Sequence, residues 1–247
     1  MVTGRERGVT VRSSGERDRA HEGLELSLNV DGTRPLSRLT AELDAVCDRL
    51  EELTDRSVLG IRLLPVPADR RSWPSGVGVQ EVNRWERAVR RLERLPAMIV
   101  TTAAGVCGGP ALDLLLASDF RIASPDLLLM LPVNDGHFWP GMAVYRLAQQ
   151  LGTGRARQIV LWGDDLDGVR AHELGLVDQL SDDLPEAAHT AVVLMGRISD
   201  RELAVRRQLL LEAPSAEYQD ALGAHLAACD RELRRLAAVG GGEETGA

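Results

Sequence analysis

Lysine is missing from this chain: all 29 basic side chains among its 247 residues are arginines. That excludes a Schiff-base mechanism and a lysine general base. Cysteine is scarce as well. Cys47, Cys107 and Cys229 lie far apart and form no CxxC pair, so neither a disulfide framework nor a zinc site is expected, and a reducing cytoplasm is the default setting. Positive charge is the minority sign. A formal charge of -8 argues against nucleic acid or an acidic membrane surface as the main partner. No apolar run approaches the roughly 20 residues needed to cross a bilayer. The stretch MVTGRERGVTVRSSGERDRAHEG has no apolar core of the kind a secretory signal carries. A soluble, cytoplasmic protein is the expectation.

What is present is patterned. Residues 1–23 are charged and without hydrophobic periodicity, and read as a flexible arm. LELSLNV alternates apolar and polar positions as a half-buried strand does. Leu36, Leu39, Leu43, Val46, Leu50 and Leu53 recur at spacings of three and four, the mark of one helix face. VLGIRLLPV reads as a second strand, closed by Pro65 and Pro67. A loop, RRSWPSGVGVQ, feeds a helix with Val82, Trp85, Val89 and Leu92 on one face and arginines on the other. MIVTTAAG is a buried strand, Pro110 to Ala117 a short apolar helix and FRIAS another strand. The irregular LPVNDGHFWPG follows, then helical segments at Tyr145–Leu151 and Ala156–Trp162. The last third is a run of amphipathic helices ending in GGGEETGA. Strand and helix alternate, so the expected class is α/β. The boundaries read as a core over 24–190, a helical region over 191–237 and a flexible tail over 238–247.

Three pieces occur in order: GVCGGPALDLLLASDFRIAS, LPVNDGHFWPG and VRAHELGLVDQL. Together they resemble the crotonase (enoyl-CoA hydratase/isomerase) superfamily, in which a glycine-rich turn opens a helix and is followed by D-x-R-I-A, P-E-x-x-x-G-x-x-P-G and A-x-x-x-G-L-V. Pro132 and Pro140 keep that family's separation. WERAVRRLERL, ALDLLLASDFRIA, WPGMAVYRLAQQ and DALGAHLAA are similar, more closely, to the crotonase homologues of the 3,5-dihydroxyphenylglycine pathway. The resemblance implies a spiral core of ββα turns with a C-terminal helical trimerisation region. It further implies a homotrimer or hexamer, an acyl-CoA thioester substrate and a type III polyketide synthase as partner. It calls for no cofactor and no metal.

In that family two backbone N–H groups hold the thioester oxygen as it becomes an enolate. Trp73-Pro74-Ser75-Gly76 matches the first donor loop and makes the Ser75 N–H a candidate, with an ordinary surface turn as the alternative. Pro110 falls on the second donor position, and proline has no N–H; it also suits the first turn of a helix. Either Gly109 or Ala111 supplies the donor instead, or one protein donor suffices. Asp113 matches the first catalytic glutamate. A carboxylate one turn into an apolar helix is costly to bury, and burial raises its pKa toward proton-transfer range; capping of nearby amides is the bland alternative. Val133 occupies the second catalytic glutamate position and cannot transfer a proton. Asp135 and His137 stand close by as acid/base or turn residues, and Trp139 as a pocket residue. Arg70 and Arg71 are candidates for the CoA phosphates, or a solvated cluster.

Three readings follow. One is a dehydratase that helps the synthase form 3,5-dihydroxyphenylacetyl-CoA, with Asp113 as acid/base. The second is a catalytically degenerate homologue that stimulates the synthase as a binding partner. The third is a general enoyl-CoA hydratase or isomerase.

Overall fold

The computed structural model describes residues 9–12, 25–53, 57–67, 76–131, 133–134, 136–195 and 197–243. The chain divides into two compact units, residues 1–200 and 201–247.

The first unit is built on a six-stranded sheet. Its strands are β1 (Val9–Arg12), β2 (Glu25–Asp31), β3 (Val58–Leu64), β4 (Met98–Ala103), β6 (Phe120–Ala123) and β11 (Gln179–Leu180). They lie in the order β1-β2-β3-β4-β6-β11, parallel except for the β1–β2 pair. All six residues of β4 are buried, which is the sequence signature of a parallel strand covered on both faces. β1 lies inside the span expected to be a flexible arm. Val9 and Val11 pair with Leu28 and Leu26, so a short β-branched alternation finds a strand edge that composition alone does not reveal.

A second sheet branches off after β4. β5 (Val106–Gly108) pairs in parallel with β7 (Leu128–Met130), which pairs antiparallel with β10 (Leu166–Asp167). A two-residue hairpin, β8 (Val133–Asn134) with β9 (His137–Phe138), occupies the segment expected to be irregular. The Gly136 φ of 80° supplies the left-handed residue that such a turn requires.

The helices of this unit are α1 (Leu36–Glu51), α2 (Val79–Leu92), α3 (Pro110–Leu116), α4 (Ala143–Trp162), α5 (Gly168–Glu173) and α6 (Leu184–Met195). The predicted face of α1 is the one buried: Leu36, Leu39, Leu43, Val46 and Leu50. Each such leucine contributes about 1.5–3 kcal/mol of transfer free energy. α2 buries Trp85, Ala88, Val89 and Leu92 and packs on α1. Gly152, at φ 74° and ψ 156°, breaks α4, in agreement with the two helical segments read from the sequence. α6 packs against β3, β4 and β6. It therefore belongs to the core unit, and the boundary expected after residue 190 falls after Asp200.

The second unit holds the rest of α7 (Asp200–Glu212) and α8 (Tyr218–Glu243). The tail expected from residue 238 begins inside α8, which continues to Glu243.

Candidate functional site

α3, seven residues long, is held at both ends. At its C-terminal end, Arg121 donates to the carbonyls of Leu116 (3.1 Å) and Ser118 (3.0 Å), and Gln150 Nε2 donates to Leu116 O at 2.7 Å. These bonds satisfy helix-end carbonyls that have no partner within the helix. Asp119 Oδ2 accepts from the Ile99 N–H at 2.8 Å, which fastens the chain after α3 to the start of β4.

At its other end α3 begins at a strained glycine. Gly109 adopts φ 57°, ψ −134°, a region open essentially only to glycine. Pro110 follows at the first helical position, where its missing donor removes no intrahelical bond. The N–H groups of Leu112 and Asp113 turn back to Gly109 O at 3.0 and 3.4 Å. The parallel β5–β7 register, with Gly108 opposite Met130, directs the Gly109 N–H toward Met130 O, whereas the Ala111 N–H has no backbone acceptor among the described residues. The two sides of this turn differ in space. A Cβ added to Gly108 would sit 3.0 Å from Met130 O, whereas one added to Gly109 meets nothing within 4 Å. The turn thus leaves the Ala111 N–H without a backbone acceptor, just after Pro110, and opens to free space at Gly109.

Asp113 is 2% exposed. Its Oδ2 accepts from Trp85 Nε1 at 3.0 Å, and its Oδ1 from Arg146 Nη1 at 3.2 Å. The same guanidinium serves two further carboxylates: Nη1 reaches Glu86 Oε2 at 3.1 Å and Nε reaches Glu93 Oε1 at 2.7 Å. One cation is therefore shared by three acids in a nearly closed environment. Burial and the Glu86 charge outweigh Arg146 and Trp85, and the Asp113 carboxyl is pushed up to about 7. The direction agrees with the expectation from sequence; the partners do not appear in it. Cys107, on β5, is buried beside this group and its thiol is pushed up to about 12 by burial, with Asp113 adding to the effect.

The network answers the capping alternative for Asp113, because its acceptor atoms go to side chains on α2 and α4 and not to backbone amides. It also gives Trp85 two functions, core residue and donor. Signals for the partners exist in the sequence. Arg146 lies three residues after Ala143 and next to Leu147, on the buried face of α4, where an unpaired charge is untenable. Glu86 and Glu93 flank the buried stripe of α2 at a separation of seven, or two helical turns.

The remaining candidates are placed as follows. Val133 is half-buried and pairs with Phe138 across the hairpin. His137 is exposed, and it is not among the partners of Asp113. Trp139 is half-buried, and its indole lies against Gly141, where an added Cβ would be 2.8 Å from Nε1. Ser75, Asp135, Arg70 and Arg71 lie outside the described residues. Among the described residues no group of three or more His, Cys, Asp or Glu is arranged to hold a metal ion, and no helix is long and apolar enough to cross a membrane.

Comparison with known proteins places these features in a family context. Residues 80–238 match the family model described as enoyl-CoA hydratase/isomerase. An enoyl-CoA hydratase from Amycolatopsis orientalis is 45% identical over 214 residues, covering 86% of this chain and 98% of the relative. Among solved structures, an enoyl-CoA hydratase/isomerase from Cupriavidus metallidurans CH34 superposes with a TM-score of 0.73 at 17% identity, covering 92% of this chain and 88% of that one. A protein from Thermobifida fusca YX, solved in complex with CoA, gives a TM-score of 0.67 at 18% identity over 93% and 94% of the two chains.

Proposed function

This chain belongs to the enoyl-CoA hydratase/isomerase family, and from that premise we propose that it is a lyase acting as a dehydratase on an acyl-CoA thioester. In this reading it assists a type III polyketide synthase in forming 3,5-dihydroxyphenylacetyl-CoA, the precursor of dihydroxyphenylglycine. The observation that carries the reading is the Asp113 carboxyl, buried one turn after the strained Gly109–Pro110 turn, where burial pushes it above the ordinary carboxylate range.

The chemistry needs little else. The thioester oxygen sits at the N–H of Gly109 or Ala111, with Ser75 as the other donor. Asp113 removes the proton α to the thioester, and the electron pair moves to the oxygen as an enolate. Collapse of the enolate breaks the β C–O bond, and the proton held by Asp113 leaves with the hydroxyl as water. A carboxylate has about four lone-pair sites; Trp85 and Arg146 take one on each oxygen, which leaves one on each. Preorganised donors stabilise the transition state more than the ground state, and each is worth about 10²–10³ in rate. Dehydration that ends in an aromatic ring is strongly downhill, so one carboxylate serves where hydration of a simple enoyl thioester uses two. On the same reading Asp135 and His137 are further acid/base or pocket candidates, Trp139 is a pocket residue, and the active form is a homotrimer or hexamer.

A second reading has its own support. Val133 in the second acid/base position, and an Asp113 that is held on both oxygens, favour a homologue that stimulates the synthase as a binding partner. The deciding experiment follows 3,5-dihydroxyphenylacetate formation by the purified synthase from malonyl-CoA, with wild type, with a folded Asp113→Asn variant and with neither. Acceleration by wild type alone supports the dehydratase. Equal acceleration by both supports the partner surface, and acceleration by neither overturns the pathway.

A further inference from the structure

Three acids converge on Arg146, and only one of them has a place in the proposed chemistry. Glu86 lies on α2 and Glu93 at its C-terminal cap, with side chains 16% and 11% exposed. Trp85, Val89 and Leu92 bury the neighbouring face of α2. Glu86 and Asp113 bind the same guanidinium nitrogen, at 3.1 and 3.2 Å. Two carboxylates that share one Nη1 lie no more than about 6 Å apart, well within the range at which like charges couple across a low-dielectric interior. Glu93 takes Nε at 2.7 Å, the shortest of the three contacts.

We propose that Glu86 and Glu93 are positioning residues for the acid/base step: by drawing on the Arg146 guanidinium, they decide how firmly Asp113 holds its proton. The proposal rests on the acid/base reading of Asp113. An isolated Arg–Asp pair of this geometry favours the ionised acid. Here the cation is divided, and two further negative charges face the same site. The groups around the Asp113 carboxyl fit this division: Trp85 and Glu86 from α2, Glu93 at the α2 cap, itself also paired with Arg90 at 2.8 Å, Arg146 from α4, and from β5 the Cys107 thiol, which burial keeps neutral. Trp85 and Arg146 favour the carboxylate, while the two glutamates oppose it. Because the glutamates are partly exposed and Asp113 is not, they provide a route by which solution conditions at α2 reach a closed acid.

Carbon-13 NMR of protein labelled at the aspartate carboxyl tests this, with the Asp113 signal assigned by its loss in Asp113→Asn. Glu86→Gln keeps the shape and an acceptor for Nη1 but removes one negative charge. The Asp113 midpoint is expected to fall by on the order of one pH unit. Glu93→Gln is expected to lower it as well, and stands in should Glu86→Gln fail to fold. Asp48→Asn, a surface change on α1, is expected to leave it in place. A midpoint unmoved or raised in both glutamine variants overturns the proposal. The synthase-coupled assay separates this from the function itself. A midpoint that falls while the pH dependence of product formation stays fixed refutes Asp113 as the acid/base but leaves the control by Glu86 standing.

Discussion

Two arginines in this chain each gather three carboxylates, and the outcomes are opposite. On the surface, Arg91 of α2 reaches Asp48 and Glu51 of α1 at 2.6 Å each and Asp44 at 3.8 Å. In the interior, Arg146 of α4 reaches Glu93, Glu86 and Asp113 at 2.7, 3.1 and 3.2 Å. Hydrogen bonding to Arg91 draws the Glu51 carboxyl below its ordinary value, whereas burial pushes Asp113 far above its own. The number and type of groups are the same. What differs is water: the surface acids keep their hydration and gain a partner, and the buried acid loses hydration that a shared cation does not replace. A charge cluster at the surface fastens helices; the same cluster inside makes a weak acid.

The sharpest way to break this contrast is to delete each arginine. Arg146→Met leaves Asp113 and Glu86 without their cation and Glu93 with Arg90 alone, and a loss of about 3–5 kcal/mol is expected in urea unfolding. Arg91→Met is expected to cost about 1 kcal/mol or less, and its effect should shrink further in high salt. Equal losses would contradict the distinction.

Next in size comes the turn beside the acid. Gly109→Ala has room for its Cβ but not the backbone freedom, and about 1–3 kcal/mol of destabilisation is expected from the forced φ. Thermal denaturation with unchanged stability would remove the strained turn from the site.

Trp85→Phe takes one donor from a buried carboxyl while keeping most of the ring volume. A loss of about 1–2 kcal/mol is expected, with the Asp113 titration moving upward because a bond to the charged form is gone.

The most specific effect lies in the pH dependence. Asp113 binds its proton more tightly folded than unfolded, with a value raised from 3.8 to about 7. Between those limits the folded state carries the extra proton, so this group makes stability fall as pH rises through the window. Asp113→Asn should lack that part of the slope when urea midpoints are compared across pH.

The elements most legible in the sequence were those set by local pattern. The α1 stripe from Leu36 to Leu50, the fully buried β4 and the break in α4 at Gly152 follow from periodicity, apolar content and glycine placement. β5, β7 and β10 did not, because strands of two or three residues carry no period and exist only through partners far along the chain. The hairpin around Gly136 was read as a turn but not as paired strands. Asp113 was legible as a charge in an apolar helix. Its setting was not, since Trp85, Glu86, Glu93 and Arg146 are brought together from two other helices. A buried arginine implies acids nearby, but only the fold says which ones.

The most direct measurement is the carboxyl titration of Asp113 in the wild-type protein, by carbon-13 NMR from pH 4 to pH 9. A buried acid that shares its cation should give a midpoint near 7. A midpoint in the ordinary carboxylate range, near 4, would show that Arg146 serves Asp113 as an ordinary salt-bridge partner, and would contradict its part in proton transfer.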